Sequence, residues 1–111
     1  MNGMYYEPYI ALVLYRDDEY ALSWLIDLVN QNNNVKCINK VREFGYYKII
    51  ICLNDNSIIT MLKCDDIEST YNYLRGNRYD RIYMDSSIES TNYERGFLES
   101  LVVPRMPITI V

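Results

Sequence analysis

Five aspartates in this chain are placed to do chemistry: Asp17, Asp18, Asp65, Asp66 and Asp85. Each follows an apolar run, and α/β sheets gather ligands beyond the carboxyl ends of their strands. Paired carboxylates in such a place hold magnesium, so one reading is a metal-dependent nuclease centred on Asp85. Against it, Asp17 and Asp65 also suit helix caps, and no lysine completes a Glu-x-Lys pattern. Arg75, Arg78 and Arg81 make a second group, three residues apart around Gly76. They suit phosphate, and their plain alternative is a solvated loop and strand edge. There is no histidine, which excludes His-based triads and zinc sites of the usual kind. Cys37, Cys52 and Cys64 lack metal-ligand spacing and are expected as reduced core thiols.

These groups need a scaffold, and 111 residues suffice for one domain spanning 1–111 with a single core. Half the residues are apolar and 23% are charged, which fits a globular chain rather than a disordered one. The net charge is −4, whereas a general nucleic-acid binder is basic or carries a basic stripe. An acidic surface points instead to a basic protein partner, such as one that itself binds nucleic acid. The longest apolar run is far too short to span a membrane, and the N-terminus does not read as a signal peptide. The expected location is the cytoplasm.

The elements follow from periodicity. Tyr9 to Tyr15 is apolar without alternation, as in a strand buried on both faces. Asp17 or Asp18 then caps a helix whose apolar face is Tyr20, Ala21, Trp24, Leu25, Leu28 and Val29. Val35 to Ile38 is a weak strand candidate, and Lys40 to Phe44 is ambiguous. Tyr46 to Leu53 is the clearest strand. Asn54 to Ser57 closes a hairpin with Ile58 to Leu62. Asp65 with Glu68 predicts a capping box for a short helix that Gly76 ends. Asp80 to Met84 is a strand. Ser86 or Ser87 with Glu89 opens a last helix, which buries Phe97, Leu98, Leu101 and Val102 and stops at Pro104. Ile108 to Val111 is a final strand. The expected fold is a small three-layer α/β domain. It has a mixed, mostly parallel sheet of five to six strands, one β-hairpin and three helices.

Three segments share an order with a known family. Asn56-Ser57-Ile58-Ile59, Leu74-Arg75-Gly76-Asn77-Arg78 and Ile82-Tyr83-Met84-Asp85 resemble the ATPase core of phage large terminase subunits and related helicase-like motors. There a hairpin precedes a Leu-Arg-Gly-x-Arg segment, and a strand then ends in two acids. Ala11 to Arg16 resembles the strand after the nucleotide-binding helix, Asp17 to Val29 its following helix, and Ile108 to Ile110 the coupling strand. The resemblance implies that Asp85 stands where the magnesium-associated acid would be. The phosphate-binding loop, Gly-x-x-x-x-Gly-Lys-Ser/Thr, is absent, and Ser86 stands where a glutamate would orient water. ATP hydrolysis is therefore not expected, nor is any cofactor.

Twelve tyrosines are many for this length. A low-GC genome explains part of that bias. Exposed tyrosines also suit interfaces, because they bury large area at small entropic cost. Tyr5, Tyr6, Tyr47, Tyr73, Arg75 and Arg78 are the candidate protein-binding residues, and a homodimer contact is a further expectation. The leading expectation is a non-enzymatic phage or mobile-element protein that inhibits a host protein, such as a defence nuclease, in the manner of an anti-CRISPR. The first alternative is an accessory of phage DNA packaging or replication that binds nucleic acid through Arg75, Arg78 and Arg81. The second is the nuclease at Asp85.

Overall fold

The unalternating run after Tyr9 forms strand β1, Ile10–Tyr15, and its last five residues are all buried. A strand wanted by cores on both faces reads this way. The computed structural model describes residues 8–32, 35–104 and 107–111. After β1 come helix α1 (Asp18–Asn32), β2 (Val35–Glu43), β3 (Tyr46–Leu53) and β4 (Ile58–Lys63). A 3-10 turn at Glu68–Thr70 runs into the short α2 (Tyr71–Leu74), followed by β5 (Arg81–Met84), α3 (Asn92–Ser100) and β6 (Thr109–Ile110).

All six strands form one sheet in the order β2-β3-β4-β1-β5-β6. Three neighbouring pairs are parallel, β1 with β4, β1 with β5 and β5 with β6. The other two, β2 with β3 and β3 with β4, are antiparallel. The sheet is therefore mixed rather than mostly parallel, with two hairpins rather than one. The extra hairpin comes from Val35 to Glu43, a single nine-residue strand. Its residues are only half-buried or exposed, so it lacks the apolar density that marks β1 and β3. Its turn, Phe44-Gly45, has positive φ at both residues (51° and 81°), the geometry of a tight two-residue hairpin.

Handedness decides where the helices go. The connection from β1 to β2 moves toward one edge of the sheet, and those from β4 to β5 and β5 to β6 move toward the other. Right-handed crossovers in opposite directions fall on opposite faces. On one face, α1 packs Ala21, Trp24, Leu25 and Leu28 over Val13, Tyr15, Ile49, Ile51 and Met61. On the other, Leu74, Leu98, Leu101 and Val102 cover Leu12, Leu14, Leu62, Ile82 and Met84. Val29, expected inside, is 47% exposed.

Local chemistry sets the boundaries. Asp17 caps α1: its Oδ1 accepts from the Glu19 amide at 3.0 Å. The expected capping box at Asp65 is not formed. Asp66 instead accepts the Ser69 amide at 2.8 Å, and the helix is one turn of 3-10 plus one of α. Gly76, at φ 87°, ends it. The last helix starts later than Ser86 or Ser87 suggested, at Thr91, which forms a full capping box with Glu94. Those two serines are spent turning the chain after β5.

Ser57 closes the hairpin between β3 and β4 and is fully buried. Its Oγ accepts the Tyr9 amide at 3.0 Å, and its own amide bonds to Asp55 Oδ1 at 2.8 Å. Ser57→Ala leaves the Tyr9 amide unpaired next to the start of β1. The expected loss is about 1–2 kcal/mol, read by urea unfolding.

Candidate protein-docking groove

Asp85 directly follows β5 and is only 4% exposed. Its Oδ2 accepts the amides of Arg16 and Asp17 at 3.2 and 3.1 Å, and its Oδ1 accepts that of Ser87 at 2.9 Å. Burial pushes this carboxyl up, but the amides of Ser87, Asp17 and Arg16 outweigh it and hold the group below its ordinary 3.8. The side chain ties the loop entering α1 to the loop leaving β5. Asp17, Asp18, Asp65 and Asp66 follow β1 and β4 at the same end of the sheet and are exposed. Among the described residues, no three potential ligands gather as a metal would need.

The three arginines fall in different surroundings. Arg75 and Arg78 are exposed on the loop between α2 and β5, where Arg78 donates to the Asn77 carbonyl at 3.1 Å. Arg81 shares the α1 face with Tyr83. It lines a groove of about 590 Å³ beside Asp55 and Asp80, and neither Arg75 nor Arg78 reaches that groove. Tyr73 is half-buried and consumed internally: its ring lies 5.1 Å from that of Tyr46, and its hydroxyl accepts from Lys48 at 2.9 Å. Tyr5 and Tyr6 lie outside the described residues.

Tyr47, the remaining tyrosine of that set, is half-buried. It forms part of a groove of about 490 Å³ between α1 and the β2–β3–β4 hairpins. Tyr15, Ala21, Leu25 and Ile49 give this groove an apolar base, Leu22 one wall, and Lys40, Arg42 and Lys63 a cationic rim. Arg42 lies over the Tyr47 ring at 6.0 Å, and Lys63 pairs with Asp18 at 2.9 Å across the mouth. Burial, with the neighbouring Tyr47 and Asp18, pushes the Tyr15 phenol to about 12, so the base stays neutral.

The wall continues beyond the groove. Leu22, Ile26 and Val29 are 56, 49 and 47% exposed, and their i, i+4, i+7 spacing puts them on one flank of α1. Ile38 on β2 is also exposed, and Phe44, at the tip of the same hairpin, is 88% exposed. Phenylalanine is a poor choice at positive φ, where asparagine or glycine is at ease. Phe44→Asn is expected to raise stability by about 0.5–1 kcal/mol in thermal unfolding, because it relieves that conformation and removes no packing. Sequence reasoning missed this surface because it sought a helix's buried face. The signal was present in Leu22, Ile26 and Val29, a second apolar stripe beside the first.

No protein-family model matches the chain, and comparison with curated proteins and with solved structures finds no significant similarity.

Proposed function

We propose that this chain is a non-catalytic protein-binding domain whose groove between α1 and β2–β3 receives an acidic, amphipathic segment of a partner. One observation carries this reading: Leu22, the first residue of an exposed apolar stripe on α1, lines one groove with Lys40, Arg42 and Lys63 in a chain whose net charge is −4. Apolar anchors supply affinity, and complementary charge supplies orientation and encounter rate. Net charge alone points to a basic partner, but the local charge of the groove points to an acidic one. The internal use of Asp85 supports a non-catalytic role. In the version that the terminase resemblance suggests, the partner is a host protein such as a defence nuclease, and the chain is its inhibitor.

The test is an affinity capture with nuclease treatment, comparing the native chain with Leu22→Glu/Ile26→Glu and with Lys40→Glu/Arg42→Glu. A nuclease-resistant partner lost with both variants supports the groove. Equal capture by all three proteins overturns it. Recovery of nucleic acid alone, reduced by Arg78→Ala, would move the function to the Arg75–Arg78 loop.

A further inference from the structure

The opposite side of the same hairpin holds two thiols face to face. Cys37 on β2 and Cys52 on β3 are direct partners in the antiparallel register. Directly opposed residues in such a ladder have Cα atoms about 4.5–5.5 Å apart, whichever type of pair they form. A disulfide accepts Cα separations of about 4.4–6.8 Å. The backbone is therefore already set for a bridge, and only the side-chain rotamers need adjust. Both cysteines are free and half-buried, whereas Cys64 is buried in the core.

Their surroundings differ in kind from those of Cys64. Asn39 Nδ2 approaches Cys37 Sγ at 3.8 Å. The Cys37 thiol, hydrogen-bonded to Cys52, is the main influence holding the Cys52 thiol above its ordinary 9.0, and the Lys36 charge opposes it. Burial, with the charges of Asp66, Asp65 and Asp85, pushes Cys64 to about 12. The thiolate is the nucleophile in exchange, so Cys64 is inert. A lone exposed cysteine stops at a mixed disulfide, but a second thiol across the strand pair can resolve it.

We infer that Cys37 and Cys52 form a reversible cross-strand disulfide by exchange with a small disulfide oxidant such as oxidised glutathione. The thiolate of Cys37, on the edge strand, attacks one sulfur of the oxidant and expels its other half as a thiol. Cys52 then attacks Cys37 Sγ in the mixed disulfide and releases the second half. The two cysteines lose two protons and two electrons, and the oxidant leaves as two thiols. The product clamps β2 to β3 beside the register shift between Val35 and Cys37, where the edge strand is held least regularly. The clamp would leave the groove open, because the thiols share the sheet face opposite α1: Cys52 alternates with the α1-facing Ile51 and Leu53.

The test equilibrates the full chain with mixtures of reduced and oxidised glutathione, quenches with acid, alkylates and maps peptides. As the mixture becomes more oxidising, two of the three thiols should disappear together into one Cys37–Cys52 linkage. They should return on reduction, with Cys64 retained throughout. In Cys52→Ser the same treatment should leave a stable glutathione adduct on Cys37. Resistance of Cys64 to alkylation before denaturation reports that this variant is folded. The proposal is overturned if the native chain ends as a glutathione adduct or a linked dimer, or if it keeps three free thiols in oxidised glutathione alone.

Discussion

Asp85→Ala is expected to cost about 3–4 kcal/mol of folding stability, a large fraction of what a domain of this size has. The carboxylate accepts amides from two separate loops, those of Arg16 and Asp17 before α1 and that of Ser87 after β5. Removing it leaves three donors without a partner, and hydrogen bonds to a charged group contribute about 1.5–3 kcal/mol each. Arg16, Asp17 and Ser87 are exposed residues, so water recovers part of that sum. Asp85→Asn is expected to cost about 2 kcal/mol, since its one oxygen serves Arg16 and Asp17 while its NH₂ opposes the Ser87 amide. Urea unfolding of both variants checks the order. If alanine and asparagine cost the same and less than about 1 kcal/mol, the carboxylate is not the tie between the loops.

The same side chain gives a pH signature. Its folded-state pKa lies below its ordinary value, so the unfolded chain binds the proton more readily. The stabilisation is fully present above the unfolded carboxylate range, about pH 4, and fades as pH falls through the folded value. The urea midpoint of the native chain should drop in that acid window. That of Asp85→Asn should drop less, and what remains includes Asp55, which its hydrogen bonds with Ser57 also hold low.

This arrangement explains part of what was legible. The apolar run Ile82 to Met84 followed by an acid was legible as a strand with a carboxylate at its end, and Asp85 directly follows β5. What the residues could not say is what meets it. The amides at the entrance of α1, a place where helix N-termini can receive an anion, are taken by the chain's own carboxylate. Strands with cores on both faces, β1 and β3, announce themselves because every position is apolar or nearly so. The edge strand β2 does not: with one side open, Lys36, Asn39, Lys40 and Arg42 break its pattern, and only pairing to β3 defines it. Both β2-dependent features were therefore hidden. The groove needs the wall of Lys40 and Arg42 opposite Leu22, and the thiol pair needs the register that sets Cys37 against Cys52. Spacing along the chain shows neither, since α1 and β2 approach only through the crossover, and Cys37 and Cys52 only across a hairpin.

Leu22→Glu/Ile26→Glu is expected to weaken partner binding by about 100-fold or more, while folding stability changes by less than about 1 kcal/mol. The two residues are 56 and 49% exposed, so their substitution opens no cavity. Glutamate is also a good helix former at exposed positions. In the proposed mode binding suffers twice: two apolar anchors are lost, and two negative charges oppose the acidic segment proposed to lie against Lys40, Arg42 and Lys63. A hundredfold loss corresponds to about 2.8 kcal/mol, well within what a pair of central anchors carries. Lys40→Glu/Arg42→Glu should instead slow association and reduce its salt dependence, with a smaller change in dissociation, because rim charges act on encounter. Surface plasmon resonance with the captured partner separates the two rates. A fall in affinity of similar size for Leu22→Glu/Ile26→Glu and for a distant exposed control, Tyr93→Glu on α3, would place the contact elsewhere. Tyr93 is 77% exposed and suits that control, since it is a large apolar surface residue outside the groove.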